Sequence, residues 1–216
     1  MSKKQIEALF SGFEQFKEKY ISQDPHYFDR LAKGQAPQSL VIACSDSRVD
    51  PALMINADPG EIFVVRNVAN LVPPYETSPG FHGVSAAIEF AVNVLLVKNI
   101  IILGHRQCGG IRSLVRGESQ DVGTFVHQWM KIAKPAREKV MNTVHPHDEE
   151  TLCRACEKES IVCSLSNLRT FPFIEKAIRM NSLKLIGAYF DIDNSELLVY
   201  DIFNDQFVNY KEIELI

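Results

Sequence analysis

The sequence has no surplus of positive charge. Across 216 residues, 23 lysines and arginines face 27 aspartates and glutamates, a net charge of −4. Without a basic field to neutralise a phosphate backbone, no nucleic-acid partner is expected. No apolar run approaches the roughly 18 residues of a membrane span. The opening Met1-Ser2-Lys3-Lys4-Gln5 leads into polar sequence with no apolar stretch of a secretory signal. Internal repeats and low-complexity segments are also missing. These absences predict a soluble, cytoplasmic chain with no membrane partner, and its 46% hydrophobic content suits one domain with a sizeable core. A chain of this size does not need disulfides. Its five cysteines are therefore either small apolar core side chains or ligands and nucleophiles.

What is present is patterned. Ile6, Leu9, Phe10, Phe13, Phe16 and Tyr20 recur at helical spacing among charges, a strongly amphipathic helix ahead of any core strand. With a second short helix over 27–33 it makes an N-terminal helical arm of residues 1–33. Its aromatic stripe must bury against the body of the same chain or against a partner subunit. After Gly34 and Pro37, the runs Ser39–Ala43, Glu61–Val65, Ile100–Gly104 and Leu183–Tyr189 are continuous rather than alternating. They predict four buried parallel strands. Glu196–Phe203, after the turn Asp193-Asn194-Ser195, predicts an antiparallel strand at an edge. A helix is predicted over His82–Val97, and a long helical region over 122–168 with interruptions near Pro135 and Pro146. The expectation is an α/β fold in a single domain over 1–216, with a mostly parallel central sheet flanked by helices.

The chemistry-bearing residues follow two of the predicted strands. Cys44-Ser45-Asp46-Ser47-Arg48 follows the first, and His105-Arg106-Gln107-Cys108-Gly109-Gly110 follows the third. Ligands of open α/β sheets bind at the carboxyl ends of strands, where strand order reverses. Two loops meeting there would gather Cys44, His105 and Cys108, a tetrahedral zinc set with one position free, as a catalytic site requires. Spacing alone leaves open that these are core side chains. Asp46 and Arg48 read either as a solvated pair of little worth or as a carboxylate within reach of metal-activated water, held by a bidentate guanidinium. Gly109 begins a helix after a ligand. Its N–H is either an oxyanion donor or part of a tight turn.

These motifs, with Pro59-Gly60-Glu61, Val65-Arg66-Asn67-Val68-Ala69-Asn70 and Ser85-Ala86-Ala87-Ile88-Glu89, resemble the β-class carbonic anhydrases over almost the whole chain. Gly34-Gln35-Ala36-Pro37 and Cys153-x2-Cys156-Glu157-Lys158-Glu159 are most similar to the plant-type branch. The resemblance implies one zinc ion per subunit on Cys44, His105 and Cys108, and reversible hydration of carbon dioxide to bicarbonate and a proton by zinc-bound hydroxide. It implies that Asp46 and Arg48 assist as a dyad, or that Asp46, released by Arg48, fills the fourth zinc position and shuts the site. It assigns Gln35, Gly109, Phe63, Val68 and Phe90 to substrate binding, some of them from a neighbouring subunit. Phe90 departs from the plant-type tyrosine. A Trp, a Gly and a Tyr build an inhibitory bicarbonate pocket in one branch; Val41, Ala43 and Phe190 stand at those positions here, so the open form is expected near neutral pH. The resemblance also implies a homodimer or higher, commonly a dimer of dimers, with N-terminal helices wrapped onto the partner.

Ligand charge adds an expectation of its own. Two thiolates and a neutral imidazole cancel the metal's charge, leaving a weaker Lewis acid than a three-histidine site. Water there should ionise above the roughly neutral pKa of that case, and activity should climb into the alkaline range. Two competing readings use the same ligands: a hydrolase of CS2 or COS, and a binding module whose zinc is permanently closed by Asp46. Cys153, Cys156 and Cys163 read as buried helix packing, His145-Pro146-His147 as an exposed loop, and Glu61 and Arg66 as structural contacts at loop ends. The sequence does not choose among His26, His82 and His127 as a proton shuttle.

Overall fold

In the computed structural model the chain divides into two compact units, Met1–Ala36 and Pro37–Ile216; the residues described are 3–117, 122–145 and 148–213. The first unit holds α1 (Lys3–Ile21) and α2 (Tyr27–Leu31). Tyr20 is the one buried residue of the α1 stripe, its ring stacked 4.6 Å from that of Tyr27. Phe16 closes the small aromatic cluster against Tyr20 and Phe28. Among the described residues of this unit the outer stripe stays uncovered: Leu9 is 63% exposed, Phe10 69% and Phe13 59%.

The second unit is built on six strands: β1 (Ser39–Cys44), β2 (Ile62–Asn67), β3 (Asn99–His105), β4 (Lys184–Asp191), β5 (Glu196–Asp201) and β6 (Gln206–Asn209). Their order is β2-β1-β3-β4-β5-β6. The first four run parallel, and β5 and β6 are antiparallel. The mostly parallel sheet agrees with the sequence reading, with two corrections. β5 is an interior strand, because a sixth strand pairs beyond it; Gln206–Asn209 is too short to register as an apolar run. β2 lies at the opposite edge and is only half covered, with Val64 37% exposed. A continuous β-branched run reports an apolar surface; it does not report what covers it.

Helices α3 (Pro51–Met54), α4 (Gly83–Asn93), α5 (Gly109–Arg116), α6 (Thr124–Met130), α7 (Lys134–Thr143), α8 (Glu149–Leu168) and α9 (Pro172–Arg179) complete the unit. Pro135 sits in the first turn of α7, where its missing N–H does no harm. On one face of the sheet Leu40, Ile42, Ile100, Ile102 and Tyr189 pack with Ile88, Ala91, Ile161 and Phe171 from the helices. Helix α8 approaches the strands closely because a Cβ on Gly104 or Gly187 would meet Ile161 at under 3 Å. On the other face Val41, Ala43, Leu103 and Ala188 form an apolar cluster with Val49, and Phe190 packs against it. Among the described residues no helix is long and apolar enough to cross a membrane.

Candidate metal centre

The chain reverses direction across the sheet between β1 and β3, since β2 lies on one side of β1 and β3 on the other. At that point Cys44 is the last residue of β1 and His105 the last of β3. The turn through Arg106 and Gln107, the latter in the left-handed region at φ 61°, delivers Cys108 to the start of α5. The ligand atoms of Cys44, His105 and Cys108 lie within 4.8 Å of one another, and all three residues are buried.

The cluster fits a metal on three observations. The two sulfurs are 4.0 Å apart, close to the about 3.8 Å that tetrahedral zinc with ~2.3 Å bonds to sulfur would set. His105 Nδ1 donates to the Arg106 carbonyl at 2.8 Å, which fixes the tautomer and leaves Nε2 with its lone pair. That Nε2 is buried with no hydrogen-bond partner, an orphan that a cation would satisfy. The thiols are electrically unequal. The hydrogen bond from Cys108 pulls Cys44 well below the ordinary thiol range, against the effect of burial, while Cys108 is pushed up as its donor and by burial. Burial opposes charge on His105, but the Cys44 sulfur prevails and raises it. Both sulfurs would bind as thiolates, and Cys108, the donor of the pair, has to give up its proton to do so, so metal binding here releases a proton.

Asp46 stands beside the cluster, its Oδ2 3.9 Å from His105 Nε2. Arg48 grips it at both oxygens, Nε to Oδ1 at 3.0 Å and Nη2 to Oδ2 at 2.8 Å, and the Arg48 backbone N–H adds a bond to Oδ1 at 3.0 Å. The guanidinium, over the effect of partial burial, holds this carboxyl far below the usual carboxylate range. Arg66 shapes the loop beneath them. It reaches from β2 to donate to the carbonyls of Cys44, Asp46 and Val49, and its Nη1 meets Asp50. Asp50 also caps α3. Glu61 likewise closes its own turn, accepting from the Asp58 N–H. Both residues make the loop-end contacts expected of them.

Glu157 has a role that the sequence reading did not assign. Only 3% exposed, its carboxylate accepts from the Cys108 N–H at 3.0 Å and from the Tyr189 hydroxyl at 2.9 Å. Burial pushes its pKa up, and these two donors pull it back. The available signal was a carboxylate on the stripe of α8 that carries Cys153, Cys156 and Ile161. Replacing Glu157 with alanine strands two buried donors and is expected to lower stability by about 2–4 kcal/mol, read as a fall in Tm.

The remaining assigned residues are dispersed. Gly109 opens α5, and a Cβ there would meet nothing within 4 Å. Val68 lies just past β2, 38% exposed, on the wall of a cavity of about 940 Å³ shared with Phe81, Phe125, Trp129 and Ile132. The three ligands and the dyad do not line that cavity. Phe63 pairs with Phe90 at a ring separation of 6.0 Å; Phe63 is four residues back along β2 from Asn67, the neighbour of Cys44, or about 13 Å by strand rise. Gln35 is exposed in the first unit. Cys153 and Cys156 are buried on α8 and Cys163 half-buried, and burial lifts Cys156 to about 12, in keeping with packing. His145 is exposed; Pro146 and His147 lie outside the described residues. His26 contacts Asp29, and His82 the Ser78 carbonyl.

A sequence profile described as carbonic anhydrase matches residues 39–197. The chain belongs to the β-carbonic anhydrase family. It is 39% identical to β-carbonic anhydrase 3 of Arabidopsis thaliana over 189 residues, covering 86% of this chain and 73% of that one. Among solved structures it is similar to the β-carbonic anhydrase CcaA, with a TM-score of 0.88 and 34% identity over 95% of this chain and 99% of that one. A tetrameric β-carbonic anhydrase from the ascomycete Sordaria macrospora gives a TM-score of 0.80 at 29% identity, covering 91% of this chain and 97% of that one. The buried trio and its orphaned imidazole nitrogen could hold a metal ion.

Proposed function

We propose that this chain catalyses the reversible hydration of carbon dioxide to bicarbonate and a proton, with one zinc ion held by Cys44, His105 and Cys108. The observation that carries the reading is Asp46, an ionised carboxylate gripped by Arg48 with one oxygen 3.9 Å from the free nitrogen of His105. When bound, zinc supplies Lewis-acid activation of water at near-neutral pH. Asp46 Oδ2 accepts a hydrogen bond from water entering beside His105 Nε2 and orients its lone pair toward the substrate carbon. Arg48 keeps that carboxylate charged and, by bonding both of its oxygens, holds it beside the ligand set without joining it. The Gly109 N–H, with open space above it, donates to the oxygen that gains charge. Val41, Ala43 and Phe190 offer no polar side chain for an inhibitory bicarbonate. The zinc form crystallised at pH 8 should therefore keep Asp46 on Arg48.

The reading extends to assembly. The uncovered stripe of α1 and the tetrameric Sordaria relative support a homodimer or dimer of dimers in which the helical arm lies on a partner. Gln35, Phe63 and Phe90 then serve a neighbouring subunit's site. Deleting residues 1–21 is expected to give aggregated or unfolded protein in size-exclusion chromatography; a soluble, active monomer would contradict the assembly.

The test is stopped-flow carbon dioxide hydration by zinc-loaded protein between about pH 6.5 and 9, the range that brackets ionisation of water on zinc. A fast rate that climbs with pH is expected. A rate already level at the acid end would remove the argument from ligand charge, and no rate at any pH would remove the reaction.

A further inference from the structure

Arg48 is the exposed member of the dyad, with 45% of its side chain open to solvent. An exposed Arg–Asp pair standing alone is worth little and opens readily. This one does not stand alone. Arg48 Nη2 also donates to the Gln107 carbonyl at 3.1 Å, and Nη1 to Gln107 Oε1 at 3.4 Å. The left-handed backbone of Gln107, at φ 61°, accompanies a carbonyl turned to Arg48. Gln107 is itself fixed from behind, since its Nε2 donates to Asp193 Oδ1 at 2.8 Å. The other oxygen of Asp193 lies 3.0 Å from Arg106 Nη2, and Arg106 is tied to Asp191 and Glu150. Asp191, 8% exposed, organises the β4–β5 turn by accepting from the Asp193 N–H and from Asn194 Nδ2. The turn that the sequence marked as Asp193-Asn194-Ser195 is thereby linked, through one glutamine, to the guanidinium that holds Asp46.

We propose that Gln107 and Asp193 form a tether that keeps Arg48 on Asp46, so that Gln107 is a positioning residue for the dyad. The proposal rests on the dyad reading above. It adds that the choice between a carboxylate held by Arg48 and one released toward the ligand set is biased from the β4–β5 turn. A bond to a charged guanidinium is stronger than a neutral one, and the glutamine reaches both Arg48 and Asp193 at once. Its loss should therefore lower turnover without emptying the site of metal.

The experiment uses the full-length zinc protein. Gln107→Asn keeps a residue type that tolerates the left-handed backbone but shortens the reach to Asp193. Asp193→Ala removes the outer anchor, and Asp193→Asn keeps an oxygen that can accept from Gln107. Each is measured for kcat and KM toward carbon dioxide, for zinc content, and for the visible spectrum of the cobalt-substituted protein at pH 8. Gln107→Asn and Asp193→Ala should each lower kcat about tenfold, the low end of what one hydrogen bond to a charged group is worth. KM and zinc content should be unchanged, and the cobalt spectrum should move toward that of Arg48→Ala. Asp193→Asn should recover most of the loss. In the Arg48→Ala background, Gln107→Asn should subtract nothing more, because a residue acting only through Arg48 has no further effect once it is gone. Full additivity in that double variant, or a Gln107→Asn enzyme with wild-type kcat and spectrum, overturns the tether. An undiminished Arg48→Ala enzyme overturns the dyad reading itself, and the tether with it.

Discussion

Replacing Cys108 with serine is expected to empty the metal centre and lower carbon dioxide hydration by at least about a thousandfold, a fraction of the roughly nine orders of magnitude by which a catalytic metal eases ionisation of water. The substitution separates ligation from packing. Serine keeps the backbone N–H that bonds Glu157 and nearly the volume of the buried side chain, so the fold should survive. What is lost is a soft thiolate for which an alkoxyl is a poor replacement. Elemental analysis should give far less than one zinc per chain, alongside a circular dichroism spectrum like that of the parent. A serine variant that retained stoichiometric zinc would mean that Cys108 is a core thiol and not a ligand.

The second large effect is at Asp46. Asparagine there keeps an oxygen near His105 but removes the charge that Arg48 grips at both oxygens. Zinc should stay, because the three ligands are untouched, while turnover falls by about a hundredfold or more, the range for loss of a positioned acid–base group. Stopped-flow rates and zinc content measured on the same preparation distinguish this from a closed binding module, in which Asp46 would itself be a ligand and its replacement would cost metal. Loss of zinc with turnover per remaining zinc unchanged would favour the module.

Much of this was legible in the sequence, for reasons that differ from residue to residue. β1, β3 and β4 are interior strands of a mostly parallel sheet, and an apolar run is the direct signature of that burial. The ligands could be placed because strand ends in such sheets converge at the reversal point, and Cys44 and His105 end the two strands that flank it. The outer parts were harder to see. Gln206–Asn209 is four residues long and takes its strand character from pairing with β5. β2 looks like a core strand by composition because its open face is as apolar as its covered one. The supporting polar residues are harder still. Nothing in Gln107 marks it apart from other loop glutamines, since its meaning comes from Asp193, 86 positions away. Glu157 gave a better clue, a carboxylate on the buried stripe of a helix, which folded proteins keep only with donors at hand.

The guanidinium of Arg66 gives the site an unexpected limit on portability. The segment from Cys44 to Asp50 contains one thiol of the buried cluster and the Asp46–Arg48 pair, and looks like a self-contained cassette. Three of its carbonyls and one of its carboxylates are nevertheless satisfied from a single side chain on the adjacent strand. Grafted into another α/β scaffold without that neighbour, the loop would have acceptors to spare and no reason to keep its curve. A lysine, with one compact charge in place of a planar fork, could not serve four acceptors in their present directions. The smallest transferable unit of this arrangement is therefore at least three strands wide, and a designer would have to move β2 along with β1 and β3.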